Sequence, residues 1–208
     1  ERLTLGTAVS LVAQRDPIVL AKELATLDHL CGGRLVLGVG AGWNLEEAAN
    51  HRIDPAQRFE VMRERVLAMR AIWTEEEASF EGEHVSFEKI WCRPKPVRGT
   101  VPVLVGGNGP TVIDRVLDYG DGWLPMCLWD LDEMIGRIEE LGRRATAAGR
   151  EVQVSAYMPP AEPEAMERLA AAGAERSIFL LPTAGRAEVE SALDDLVAVR
   201  ESYERAGT

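Results

Sequence analysis

The stretch Val101–Trp123, VPVLVGGNGPTVIDRVLDYGDGW, reads as a short apolar strand, a glycine-rich turn, an amphipathic helix and the opening of another strand. Val101–Val105 supplies the β-branched run of a buried strand, and Gly106–Pro110 supplies the turn. Glycines directly after a strand let backbone N–H groups come close to a ligand. The helix that follows aims its positive end at the same place, so the stretch has the local chemistry of a phosphate holder. Many α/β proteins use glycines there simply to turn the chain, and only the surrounding sequence separates the two uses.

Upstream, Arg34–Val39 (RLVLGV) is a second buried-strand run, and it passes straight into Gly40-Ala41-Gly42-Trp43-Asn44. Neither GVGAGW nor GGNGPTV completes the G-x-G-x-x-G fingerprint, since Trp43 stands where the last glycine of the first string belongs. A nicotinamide-type dinucleotide site is therefore not expected.

Outward from these two junctions the same alternation continues. Leu3–Leu11 is rich in β-formers and apolar on both faces, as for a strand buried on both sides. Asp16-Pro17 starts a helix whose Leu20, Leu24, Leu27 and Cys31 recur at helical spacing, and Gly32-Gly33 ends it. His29 falls beside that stripe as a surface histidine near the helix C-terminus. Asp54-Pro55 is expected to cap the next helix, with Phe59, Met62, Val66, Met69 and Trp73 as its core stripe. Ser79–Ile90 alternates around Gly82 as an inserted β-hairpin, and Arg93–Pro96 returns extended.

Beyond the opening stretch, Gly122–Met126 is a strand, and Leu131, Ile135, Ile138 and Leu141 mark a helix ending at Gly149. Glu151–Met158 reads as a strand broken by Pro159-Pro160, and Glu164–Ala172 as a short helix closed by Gly173. Ser177–Leu181 is the last strand, and the helix 186–205 carries Val189, Leu193, Leu196 and Val199 or Arg200 on its inner stripe. Strands alternating with helices in this way pair in parallel, either as an open doubly wound sheet or as a (β/α)₈ barrel. In both, ligands bind at strand C-termini, which places the turns after Val39 and Val105 on one functional face.

Composition narrows the partners. The 208 residues are 46% hydrophobic, enough for one sizeable core, and a formal net charge of −11 argues against nucleic acid or an anionic membrane surface. No apolar run approaches the ~18 residues of a membrane span, and no signal-peptide pattern is expected at the start of the sequence. Cys31, Cys92 and Cys127 are odd in number and widely spaced, which fits a reducing cytosol, and neither they nor His29, His51 and His84 show metal-ligand spacing.

LGTAV (Leu5–Val9), DPIVLAKELATLDHLCGGRLVLGVGAGW (Asp16–Trp43), FEGEHVSFE before RPKPV, VPVLVGGNGP and YGDGW together resemble the luciferase-like monooxygenase superfamily. The subgroup they resemble is that of oxidoreductases dependent on the deazaflavin coenzyme F420. The resemblance covers nearly the whole chain. It implies a (β/α)₈ barrel, with residues 1–208 as a single, partial barrel domain in which Leu3–Leu11 stands for the third strand and Ser177–Leu181 for the eighth. Six of the eight βα units are then present, with the hairpin as an insertion.

The resemblance also implies a site. Thr7, Ala8 and Val9 would form a bulge behind the cofactor ring, with a non-proline cis peptide at Ala8–Val9. Ala41, Gly42 and Glu46, the last where the family favours an amide, would line the cofactor side chain. Gly106, Gly107, Asn108, Gly109, Thr111 and Val112 would form the phosphate-side loop. Ring-contacting residues of the family's second strand have no counterpart here, so no catalytic residue is assigned. The implied activity is hydride transfer between F420 and a small organic substrate, in a cytoplasmic homodimer. The alternatives are an FMN-dependent monooxygenase on the same fold and a catalytically silent flavin- or partner-binding fragment. A sugar-phosphate barrel enzyme fits less well, because its phosphate loops would follow the last two strands, at Pro159-Pro160 and Pro182–Gly185. Trp43, Trp123, Trp129 and Met126, near strand ends, are candidates to line an apolar pocket.

Overall fold

Strands and helices alternate along the chain much as the sequence pattern predicts. The computed structural model describes residues 3–128 and 130–206. In order these form β1 (Leu5–Gly6), a 3₁₀ turn (Val12–Gln14), α1 (Pro17–Leu30), β2 (Leu35–Val39), α2 (Leu45–Asn50) and α3 (Arg58–Thr74). The hairpin strands β3 (Ala78–Glu81) and β4 (Ser86–Ile90) come next, then β5 (Val103–Gly106), α4 (Val112–Tyr119) and β6 (Gly122–Leu124). The chain ends with α5 (Leu131–Ala147), β7 (Gln153–Tyr157), α6 (Pro163–Ala172), β8 (Arg176–Ile178) and α7 (Arg186–Ala206).

Two compact units divide the chain, Glu1–Gly106 with Asp114–Asp121, and Gly107–Ile113 with Gly122–Thr208. In the first, β1, β2 and β5 pair in parallel, with Leu5 opposite Leu35 and Val39 opposite Val105. Their inward residues Leu35, Leu37, Val39, Val103 and Val105 are all nearly or completely buried. Helices α1 and α3 pack on one another, and the indole of the fully buried Trp73 donates to Ala21 O at 3.0 Å, so a large apolar side chain enters the core without an orphaned N–H. Asp121 ties α3 to β5, its Oδ2 accepting from the Val103 N–H (2.8 Å) and from Arg70 Nη2 (2.7 Å). In the second unit β6, β7 and β8 are again parallel, with Gly122 opposite Gln153 and Ser155 opposite Arg176. The buried residues Met134, Ile138 and Leu141 of α5, and Ala165 and Leu169 of α6, recur at helical spacing, as expected for helices that each bury one face.

The capping signals act as read at Asp16, whose carboxylate accepts from the Val19 N–H at 2.9 Å while Pro17 opens α1. They act differently at Asp54-Pro55. There the Asp54 carboxylate accepts from Ala56 N–H and its carbonyl from Gln57 N–H, so the pair makes a separate turn and α3 starts only at Arg58. The strand expected over Leu3–Leu11 is also shorter and far more exposed than its apolar pattern suggests. The ladder stops at Gly6, Ser10 makes one isolated bridge to Val39, and residues 3–9 are exposed, because β1 pairs only with β2 among the described residues. Leu27 is 40% exposed although it shares the α1 stripe. On α7 no described side chain is buried, so the stripe through Val189, Leu193, Leu196 and Val199 is amphipathic without being core.

Among the described residues no helix is long and apolar enough to cross a membrane, and no group of three or more His, Cys, Asp or Glu residues converges as a metal site would.

Candidate functional site

The first set of strand-end residues belongs to the first unit. After β1 the chain steps out of the ladder through Thr7, Ala8 and Val9, and the Ala8–Val9 peptide is cis. Thr7 Oγ1 donates to Gly38 O (2.8 Å), Ser10 N–H donates to the same carbonyl (2.8 Å), and Gly40 N–H returns a bond to Ser10 O (3.0 Å). These bonds stitch the bulge to β2. Val9, 38% exposed, lies over two glycines: a Cβ on Gly40 would fall 2.5 Å from Val9 Cγ2, and a Cβ on Gly106 would fall 2.7 Å from Val9 Cγ1. Glycine at both strand ends therefore makes room for this one side chain. Behind the bulge, Arg65 Nη1 donates to Ala13 O (2.7 Å) and Arg15 O (2.6 Å), fixing the 3₁₀ turn. Burial pushes the Arg65 guanidinium below its ordinary pKa, with Asp16 acting in the opposite direction.

Of the other positions in this unit, Ala41 is buried and Gly42 takes a left-handed conformation (φ +81°) against Leu11. Asn44 caps α2 by accepting from the Glu47 N–H at 3.0 Å. Glu46 is exposed in the first turn of α2, where the helix dipole itself favours a carboxylate. Trp43 is 90% exposed between these anchored neighbours.

The second set belongs to the second unit. Gly107 has φ +103°, a conformation that glycine adopts without strain, and space around its Cβ position is open. The Asn108 side chain is fully engaged with one backbone residue: its Nδ2 donates to Met126 O (2.7 Å) and its Oδ1 accepts from Met126 N–H (2.9 Å). Trp123 is completely buried and its indole N–H donates to Gly107 O (2.9 Å). Arg137 of α5 donates from Nη1 to Asn108 O (2.5 Å) and from Nη2 to Gly109 O (2.8 Å), with its guanidinium 5.4 Å from the Trp123 ring centroid. No acceptor among the described residues takes the N–H of Asn108 or Gly109. Val112 is buried and its N–H is closed onto Gly109 O (3.1 Å), while Thr111 is exposed at the surface.

The backbone of Met126 and the completely buried Trp123 thus hold the glycine loop, and Trp123 has no exposed face with which to line a pocket. Trp129 lies outside the described residues. Cys127 is buried against Pro125 O, and burial pushes its thiol up to about 11, so it is neutral and unreactive near pH 7. The supporting residues Arg65 and Arg137 belong to no motif, and Trp123, which closes YGDGW, supports the loop through its indole N–H. Arg137 in particular reads in sequence as an ordinary i,i+4 partner of Glu133, which it does approach at 3.8 Å.

Known proteins resemble this chain in sequence and fold. Residues 1–207 match the family model described as luciferase-like monooxygenase. The uncharacterized protein Rv0953c of Mycobacterium tuberculosis is 38% identical over 202 residues, 95% of this chain and 70% of that protein. The F420-dependent glucose-6-phosphate dehydrogenase of Intrasporangium calvum is 36% identical over 130 residues, 60% of this chain and 39% of that enzyme. Among solved structures, the monooxygenase RslO1 from Streptomyces bottropensis superposes with a TM-score of 0.69 at 24% identity, over 96% of this chain. The chain spans 62% of the length of RslO1. The α/β fold, with its parallel strands and inserted hairpin, is that of the luciferase-like barrels, and the chain belongs to the luciferase-like monooxygenase family.

Proposed function

We propose that this chain carries the cofactor-holding part of an F420-dependent oxidoreductase acting on a small organic substrate. The observation that supports it best is the loop after β5. The Asn108 and Gly109 N–H groups stand without a protein acceptor among the described residues, just ahead of the positive end of α4. That donor set suits the phosphate of a flavin or deazaflavin tail. The similarity to F420-dependent glucose-6-phosphate dehydrogenases supports the deazaflavin over FMN. When bound, such a cofactor supplies the hydride chemistry. The chain's own residues then have two tasks: Thr7–Val9, stitched to β2, backs the flat ring, while Gly106–Val112 holds the tail. Ala41, Gly42 and Glu46 flank the cofactor side chain in this reading.

Titrating the purified protein with F420 and, separately, with FMN tests the proposal. Saturable F420 binding tighter than that of FMN is the expected result. Preference for FMN would turn the reading toward an oxygen-using monooxygenase, and binding of neither would leave a silent fragment. The three free, buried thiols support residence in a reducing cytoplasm. A homodimer is part of the same proposal, and light scattering of the purified chain tests it.

A further inference from the structure

Three successive residues of the phosphate-side loop are gripped from one side. The peptide between Gly107 and Asn108 presents its carbonyl to Trp123 Nε1, and the peptide between Asn108 and Gly109 presents its carbonyl to Arg137 Nη1. Both peptides are trans. In a trans peptide the N–H points opposite to the C=O, so holding these two carbonyls turns the Asn108 and Gly109 N–H groups together toward the other side. Arg137 Nη2 holds the next carbonyl, Gly109 O, whose peptide has no N–H because Pro110 follows. Asn108 cannot swing away, since its amide is closed onto both backbone groups of Met126. Two adjacent donors fixed in this way form a small anion nest.

The Arg137 cation makes the nest more than a turn. Among the described residues its partners are two neutral carbonyls, the Trp123 ring face and Glu133 at 3.8 Å, and its side chain is only 16% exposed. A guanidinium with a planar fork can bridge two neighbouring carbonyls, whereas a lysine ammonium, a point charge on a flexible stem, holds no such plane. Its positive charge behind the loop also raises the attraction of the outward N–H groups for an anion.

We infer that Arg137 and Trp123 are positioning residues that preset the Asn108 and Gly109 N–H groups for the phosphate of the cofactor tail. This rests on the cofactor reading above for the identity of the ligand. The nest itself can be tested with inorganic phosphate.

Three variants, Arg137→Gln, Arg137→Lys and Trp123→Phe, are compared with the parent by two measurements. The first is binding of F420 against the phosphate-free deazaflavin chromophore. The second is the shift of the Asn108 and Gly109 amide resonances on titration with inorganic phosphate. Arg137→Gln is expected to weaken F420 binding about tenfold or more, as for one lost charge-assisted bond, and to leave the phosphate-free chromophore within about twofold. Arg137→Lys is expected to recover only part of the loss, because charge returns without the bridging fork. Trp123→Phe keeps the aromatic body and removes the Gly107 anchor, and is expected to lower F420 affinity in the same selective way. In the parent both amide resonances move with phosphate, and in Arg137→Gln they do not. Equal loss for both chromophores, or full rescue by lysine, would overturn the positioning role. Amides indifferent to phosphate in the parent would overturn the nest, whereas amides that respond in a protein binding neither F420 nor FMN would overturn only the cofactor reading.

Discussion

Gly106→Ala and Gly40→Ala are each expected to destabilise the protein by about 1–3 kcal/mol, the usual range for overpacking a close-packed site. They differ in how far a second substitution restores the loss. At Gly40 the three atoms nearest the new methyl all belong to Val9, with Cγ2, Cβ and Cγ1 at 2.5, 3.4 and 3.9 Å. Val9→Ala removes both γ-carbons and leaves the 3.4 Å approach, which is ordinary contact. At Gly106 the methyl meets Val9 Cγ1 at 2.7 Å and also the Val39 carbonyl oxygen at 3.1 Å. That oxygen belongs to the buried β2 backbone and cannot rotate away. Urea denaturation of the single and double variants should therefore show nearly complete rescue of Gly40→Ala by Val9→Ala, and only partial rescue of Gly106→Ala. Val9 is 38% exposed, so Val9→Ala alone should cost less than about 1 kcal/mol. Strictly additive energies would show that Val9 does not lie over these glycines. The same double variants should bind the proposed cofactor more weakly than the parent, since the bulge behind the ring would have lost its side chain.

This Val9–Gly40–Gly106 contact marks where sequence reading stops. The presence of each strand, the hairpin, every helix but the short α2 and the glycine density at two strand ends are legible in the sequence, because period, capping residues and turn chemistry are local properties. In sequence the glycines read as backbone approaches to a ligand. In the structure two of them are also set by Val9, whose position more than 30 residues upstream of Gly40 no local pattern could supply. Asn108 is the clearest case. The resemblance assigns it to the phosphate-side loop without saying which of its groups faces a ligand; both ends of its amide are spent on Met126, and its backbone N–H has no protein acceptor among the described residues. Likewise Trp123 and Arg137 act through hydrogen bonds to loop carbonyls, a role that depends on direction and not on residue type. Apolar pattern alone overstates burial. Leu5 and Leu27 have the right period, but burial requires a neighbour, and period says nothing about whether one is there.

The hairpin turn offers the other large effect. Glu64 of α3 accepts three successive backbone N–H groups across that turn, Glu83 at 2.9 Å on Oε1, and His84 at 2.7 Å and Val85 at 3.0 Å on Oε2. Gly82 is obliged to stay small beside it, since a Cβ there would fall 2.4 Å from Oε2. Burial pushes the Glu64 pKa up, but the three N–H bonds from His84, Glu83 and Val85 outweigh it and hold the carboxyl below its ordinary value. Glu64→Ala should cost on the order of 2–4 kcal/mol, because it strips the shared acceptor from all three donors. Glu64→Gln should be nearly as costly. One amide oxygen still accepts, but the NH₂ then faces N–H groups that need an acceptor. The two side chains separate by pH. With a folded pKa below the unfolded value near 4.3, the carboxylate contributes its full stabilisation above about pH 5 and loses it as pH falls through the folded value. The stability gap between parent and Glu64→Gln should therefore be widest at neutral pH and narrow steadily below about pH 4, with other carboxylates cancelling in the difference. Hydrogen exchange should localise the loss to β3 and β4, where Phe80 and Phe87 stack at 6.3 Å. A gap that stays constant from pH 7 to pH 3 would mean that the charge on Glu64 does not hold the turn, and that the hairpin owes its place to its apolar contacts alone.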